Sequence, residues 1–209
     1  MHYNFIEIGT SDFDTLIQTC PDSAVGLSVD PILYYLQRLP SKPNVLRVLA
    51  AISDTDGFTD VYYVPPEIID HCHLPDWVRG CNSIGKAHPT VFNLLKNAGA
   101  DPAAFIQKTK IPQFSMTTFL KMYNVSSCDY LKIDTEGHDI VILTNYIEAI
   151  RTKLTNPATR ICFEANELTH TVLTETVISL LVDIGYEVEK RGEGNVYMKY
   201  VKTDVNGQN

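Results

Sequence analysis

No CxxC pair, no block of basic residues, no apolar stretch near the ~20 residues of a membrane span and no complete G-x-G-x-x-G loop occur in this chain. Each absence removes a class of function. The five cysteines (Cys20, Cys72, Cys81, Cys128 and Cys162) are odd in number and scattered, which predicts free thiols in a reducing compartment rather than a disulfide framework. His71-Cys72-His73 offers adjacent donors, but neighbours on a strand face opposite ways and no second ligand pair follows at zinc-finger spacing. A formal charge of −8 argues against a nucleic-acid backbone as the main partner. Met1-His2-Tyr3-Asn4 lacks the basic start and apolar run of a signal peptide. The expectation is a soluble, cytoplasmic protein without a membrane partner.

What is present is an alternation of strand and helix signals. With 209 residues, 44% of them apolar and 20% charged, the chain suits one domain around one sizeable core. Strands are predicted at 4–9, 24–30, 44–53, 128–134 and 158–166, with a further short one at 59–65. Helices are predicted at 12–20, 31–39, 114–125, 138–150 and 174–185, the first capped by Ser11 or Asp12. A final hairpin turns around Gly192-Glu193-Gly194. Residues 65–112 break the pattern with prolines at 65, 66, 75, 89, 102 and 112, and hold the only tryptophan, Trp77. They read as an irregular insertion with one helix near 90–98, lying over the domain as a lid. The alternation implies an α/β fold: a mostly parallel sheet with helices on both faces and an antiparallel strand at the hairpin end.

In such sheets ligands bind outside the carboxyl ends of the strands, where strand order switches. Strand one ends Glu7-Ile8-Gly9-Thr10-Ser11, and a glycine there permits close approach of a ligand backbone-first. Glu7 is a charge inside an apolar strand and needs a partner. Asp30, 23 residues after Glu7, stands where a carboxylate grips a ribose diol, although a cap before Pro31 explains it equally well. Ile52 and Ser53 end strand three and suit the face and edge of an adenine ring.

The stretch YLKIDTEGHDIVIL (130–143) crowds Lys132, Asp134, Glu136, His138 and Asp139 around one turn. Side-chain alternation puts Lys132 and Asp134 on one face. If the strand ending at Glu164 is a neighbour, Asp134 and Glu164 come within metal-bridging reach, with Asn166 beyond. That oxygen-rich set suits Mg²⁺, Mn²⁺ or Ca²⁺, unless Lys132 or Arg160 neutralises the carboxylates as ordinary ion pairs.

With these residues in view, the chain resembles the FkbM family of S-adenosylmethionine-dependent methyltransferases. YLKIDTEGHDIVIL carries the likeness most strongly; VLRVLAAISDTDGFTDVYYV, GCNSIG (80–85), TTFLKMYNV and ICFEANEL follow in the expected order. EIGTSDFDT departs from the family's Asp-x-Gly-Ala-Asn-x-Gly type of loop by losing a glycine and an asparagine. The resemblance implies a Rossmann-like class I methyltransferase fold with a seven-stranded sheet, and methyl transfer to a sugar or other small-molecule hydroxyl. S-adenosylmethionine is then expected at Glu7, Gly9, Thr10, Ser11, Asp30, Pro31, Ile52 and Ser53, with Asn82 and Ser83 reaching in from the insertion. His138 is the first choice of base, because its ordinary pKa lies near neutrality, with Glu136, Asp134 and Lys132 beside it. A divalent cation (Mg²⁺ or Mn²⁺) at Asp134, Glu164 and Asn166 would help deprotonate the acceptor. His88 is a further contact candidate, and Trp77 a stacking surface or an ordinary packing residue. The implied partners are small-molecule or glycan acceptors, with a homo-oligomer left open. The rival readings are a non-catalytic nucleotide-sugar or dinucleotide binding module and a degenerate methyltransferase-like scaffold.

Overall fold

The computed structural model describes residues 1–165, 171–192 and 194–201. The chain opens with β1 (His2–Ile8), α1 (Leu16–Thr19), β2 (Gly26–Asp30), α2 (Leu33–Arg38) and β3 (Val45–Leu49). Next come β4 (Ala51–Ser53), β5 (Gly57–Tyr63), α3 (Pro66–His71), a 3₁₀ turn at Asp76–Arg79, β6 (Ser83–Ile84), α4 (Pro89–Asn97), α5 (Pro102–Phe105) and β7 (Gln107–Ser115). Alternation then resumes with α6 (Met116–Met122), β8 (Ser127–Ile133), α7 (Asp139–Arg151), β9 (Arg160–Glu164) and α8 (Thr171–Asp183). The antiparallel hairpin β10 (Tyr186–Gly192) and β11 (Asn195–Tyr200) closes the described chain.

Seven strands form one sheet in the order β10-β11-β9-β8-β1-β2-β3, parallel except where β11 joins. Ile6, Ile8, Leu27, Val29, Leu131, Ile133, Ile161 and Phe163 point to one face and meet Phe119, Ile142, Leu143, Tyr146, Val177 and Leu181 from α6, α7 and α8. Phe5 and Val45 point to the other face and meet Ile17 of α1 and Leu36 and Leu39 around α2. β1 pairs with both β2 and β8, so the chain leaves it in opposite directions on its two sides. That switch opens a crevice above the ends of β1, β2 and β8.

Three expectations change. The strand expected at 44–53 is two strands: the chain leaves the first sheet at Ala50, and β4 pairs with β7 instead. A continuous apolar run does not reveal a change of pairing partner. The helix expected at 12–20 begins only at Leu16. Thr15 N–H donates to Gln18 Oε1 at 3.4 Å, half of a capping box, and this start leaves Phe13 in the preceding loop. Lastly, residues 65–112 are not irregular. They add β6 and the first two-thirds of β7 to a second sheet, order β4-β7-β5-β6, and their helices pack Ile69, Val78, Val91 and Leu95 against Val64. Prolines that read as breakers start helices: Pro66, Pro89 and Pro102 each sit in a first turn, where the missing N–H costs nothing.

Candidate active site

A cavity of about 390 Å³ lies at the strand-order switch, under the second sheet's loops. Gly9 forms its floor with φ +84°, and a Cβ there would lie 1.7 Å from the Asp134 carbonyl oxygen. The glycine therefore lets the ends of β1 and β8 close on each other, rather than opening a path for a ligand. Beyond it, Ser11 (φ 51°) and Asp14 (φ 55°) take left-handed conformations without being glycine, at a cost of ~1–2 kcal/mol each. The Ser11–Asp14 loop is held by the Asp30 carboxylate, which accepts Ser11 N–H at 2.8 Å and Ile32 N–H at 2.7 Å. Burial pushes Asp30 up to about 7. Each of its oxygens keeps a lone pair for a ligand.

The opposite wall is the turn after β8. Ile133 pairs with Phe163, so Asp134 and Glu164 do stand side by side at adjacent strand ends. One carboxylate oxygen from each of Asp134, Glu136 and Glu164 lies within 4.8 Å of the others. Burial raises the Asp134 pKa, Lys132 opposes that, and the neighbouring Glu136 charge adds to it. The turn itself is strained, with Glu136 at φ 53° and Gly137 at φ 94°. Asp139 holds it: one oxygen accepts the Thr135 hydroxyl at 2.7 Å and Thr135 N–H at 3.2 Å, and the other accepts Glu164 N–H at 3.0 Å. Asp139 is fully buried at the first turn of α7, where the helix dipole favours its charge. Its pKa still rises to about 6, chiefly through burial.

The 65–112 segment supplies the roof. His88 caps α4: its Nδ1 accepts Thr90 N–H at 3.2 Å, which leaves the proton on Nε2 to donate to Glu136 Oε2 at 3.1 Å. Cys81 adjoins this pair, and by spacing alone the three suit a softer metal. The tautomer argues otherwise, since Nε2 is a donor. Burial pushes the Cys81 thiol up, so it is no nucleophile at neutral pH. Phe13, Trp77 and Gly80 complete the mouth.

Of the residues singled out from sequence, Gly9, Thr10, Ser11, Asp30, Pro31 and Ile52 line this cavity, as do Asn82, Lys132, Asp134, Glu136 and Glu164. Four others lie elsewhere. Glu7 is buried behind the wall, where it accepts Lys132 Nζ at 3.0 Å and Leu16 N–H at 2.9 Å. Lys132 is thereby committed to Glu7, its cross-strand neighbour, and to the Asp14 carbonyl. Arg160 pairs with Glu189 at 3.0 Å, away from the cavity. The Ser53 hydroxyl donates to Asp54, which makes His138 Nε2 the donor to Ser53 Oγ at 2.9 Å. This bond ties the start of α7 to the end of β4, and His138 does not reach the cavity wall. Its pKa is lowered by burial. Ser83 donates to the Lys86 carbonyl at 2.7 Å. Asn166 lies outside the described residues. Sequence reasoning missed Phe13, Gly80 and the organising role of Asp139. The T-x-x-Q start at Thr15 would have placed Phe13 in the loop; Gly80 carries no such signal.

Among curated proteins, no match to the chain is found. The fold is similar to the crystal structure of methyltransferase FkbM from Methylobacillus flagellatus KT, with a TM-score of 0.52 at 12% identity. That likeness covers 96% of this chain but 44% of the other, so the chain spans less than half the length of that structure. The family model for the methyltransferase FkbM domain matches residues 7–188. The chain belongs to the FkbM methyltransferase domain family.

Proposed function

We propose that the chain is an S-adenosylmethionine-dependent O-methyltransferase acting on a sugar or glycan hydroxyl. The observation that carries this reading is one cavity with Asp30 on one side and Asp134, Glu136 and Glu164 on the other. Its volume falls within the ~300–1,000 Å³ typical of small-molecule sites. The donor set fits the cofactor: Asp30 has free lone pairs for a ribose diol, Pro31 and Ile52 offer apolar contact for a purine, and the acidic wall favours a cation. When bound, S-adenosylmethionine supplies the electrophilic methyl group. The chain's task is then to hold an acceptor oxygen in line and accept its proton. Glu136 is the group placed for that proton, because its carboxylate faces the cavity and His88 fixes its orientation; His138 is engaged with Ser53.

The acidic trio is also where a divalent cation, Mg²⁺ or Mn²⁺, would be held by hard oxygen donors. Such an ion would lower the pKa of a coordinated hydroxyl. The same reading takes residues 1–209 as one domain roofed by 65–112, working in the cytoplasm on small-molecule or glycan acceptors rather than nucleic acid or membranes.

The test is incubation with methyl-labelled donor and a panel of monosaccharides and glycans, followed by mass analysis. Label on a sugar oxygen is expected; donor binding without label on any hydroxyl acceptor would reject the reading. Unchanged turnover in excess EDTA would remove the cation alone.

A further inference from the structure

We infer that the cavity mouth is a subsite for a pyranose ring bearing no negative charge, walled by Phe13 and Trp77 and entered past Gly80. This deepens the sugar O-methyltransferase reading and rests on it. Gly80 has φ −77° and ψ −26°, a conformation that any residue adopts. The backbone therefore does not require glycine there, and what glycine provides is space. A Cβ at Gly80 would touch the Phe13 ring at 3.4 Å and lie 3.9 Å from Glu136 Oε1. The Phe13 ring, the Trp77 carbonyl oxygen and the Glu136 carboxylate thus flank the spot that a side chain at Gly80 would fill. A pyranose has that same duality, with an apolar C–H face and a rim of hydroxyl donors.

Phe13 and Trp77 are 45% and 44% exposed, large apolar surface left open at the mouth of a cavity. They come from different parts of the chain, the β1–α1 loop and the 3₁₀ turn, yet both line the cavity. The charge of the wall sets the second half of the inference. Asp14, Asp134, Glu136 and Glu164 line it, whereas the one ammonium among its described lining residues, Lys132, is paired with Glu7. The guanidinium of Arg79, next to Gly80, is bonded to Asp70. With no cation on the acidic trio, a phosphate or carboxylate on the acceptor would meet like charge there. Neutral and amine-bearing sugars fit; sugar phosphates and nucleotide-linked sugars do not.

Trp77 is the only tryptophan, so its emission reports on this mouth without any turnover. The full chain is titrated in EDTA, which keeps divalent cations off the acidic trio, with methyl glucoside, glucosamine and glucose 6-phosphate. The first two are expected to change Trp77 emission saturably, with glucose 6-phosphate at least about tenfold weaker. Phe13→Ala should weaken the neutral sugar about three- to tenfold. Gly80→Leu should abolish the response while calorimetric binding of S-adenosylmethionine persists. Equal or tighter binding of the phosphate, a full response in Gly80→Leu, or silence of Trp77 with all three sugars would overturn the subsite. Sugar methylation with a silent Trp77 would sink the subsite alone. A Trp77 response without methyl transfer would sink the enzymatic reading alone.

Discussion

Replacing Lys132 with methionine tests how the back wall of the cavity is held. Lys132 and Glu7 face each other across β1 and β8, 3.0 Å apart, with side-chain exposures of 18% and 0%. Removing one partner of a buried pair costs ~3–5 kcal/mol, because the remaining charge is left uncompensated. Partial exposure of Lys132 sets the expectation near the lower end, about 3 kcal/mol. The loss should depend on pH. Burial raises the pKa of Glu7 even with Lys132 opposing it, and removing Lys132 raises it further. A raised pKa means that the folded state holds a proton the unfolded chain has released, so stability falls as pH rises. The fall is steeper in the variant, so the difference from wild type is larger at about pH 8 than at about pH 5. Urea denaturation at both pH values measures it. The double variant Glu7→Gln/Lys132→Met should recover most of the loss, since the amide oxygen still accepts Leu16 N–H. A loss under about 1 kcal/mol, or one equal at both pH values, refutes the reasoning.

Gly9→Ala forces a Cβ against the Asp134 carbonyl at positive φ, and should cost about 3 kcal/mol or more by denaturant titration. Asp30, raised from its ordinary 3.8 to about 7 by burial, contributes stability that is complete below the lower value and lost as pH rises to the upper one. Asp30→Asn should flatten that slope in urea midpoints measured across the range; an unchanged slope counts against it. His138→Asn should keep methyl transfer within about threefold, whereas Glu136→Gln should lose ~100-fold or more in kcat. The opposite ranking would restore His138 as the base.

Much of the architecture was legible because it rests on two periodicities. Apolar runs and helical spacing placed the main strands and four of the five helices expected outside residues 65–112, and the parallel register then brought Asp134 beside Glu164. What escaped depends on partners distant in sequence. Nothing in LRVLAAIS marks Ala50 as the point where the chain changes sheets. The unbroken polar run Gln107–Lys110, with no apolar alternation, hid β7, whose partner β5 lies some fifty residues earlier. At the site, residue types were easier to read than directions. His138 stands in the right turn but points at Ser53, and Lys132 on the right strand points at Glu7. Gly80 was invisible for a simpler reason: its contribution is an empty volume between Phe13 and Glu136, which only assembled walls define.

The central claim is that the crevice above β1, β2 and β8 is built for S-adenosylmethionine. Calorimetric titration of the purified chain with that compound tests it most directly. One saturable site per chain is the predicted result. No heat of binding up to millimolar concentration would contradict the account.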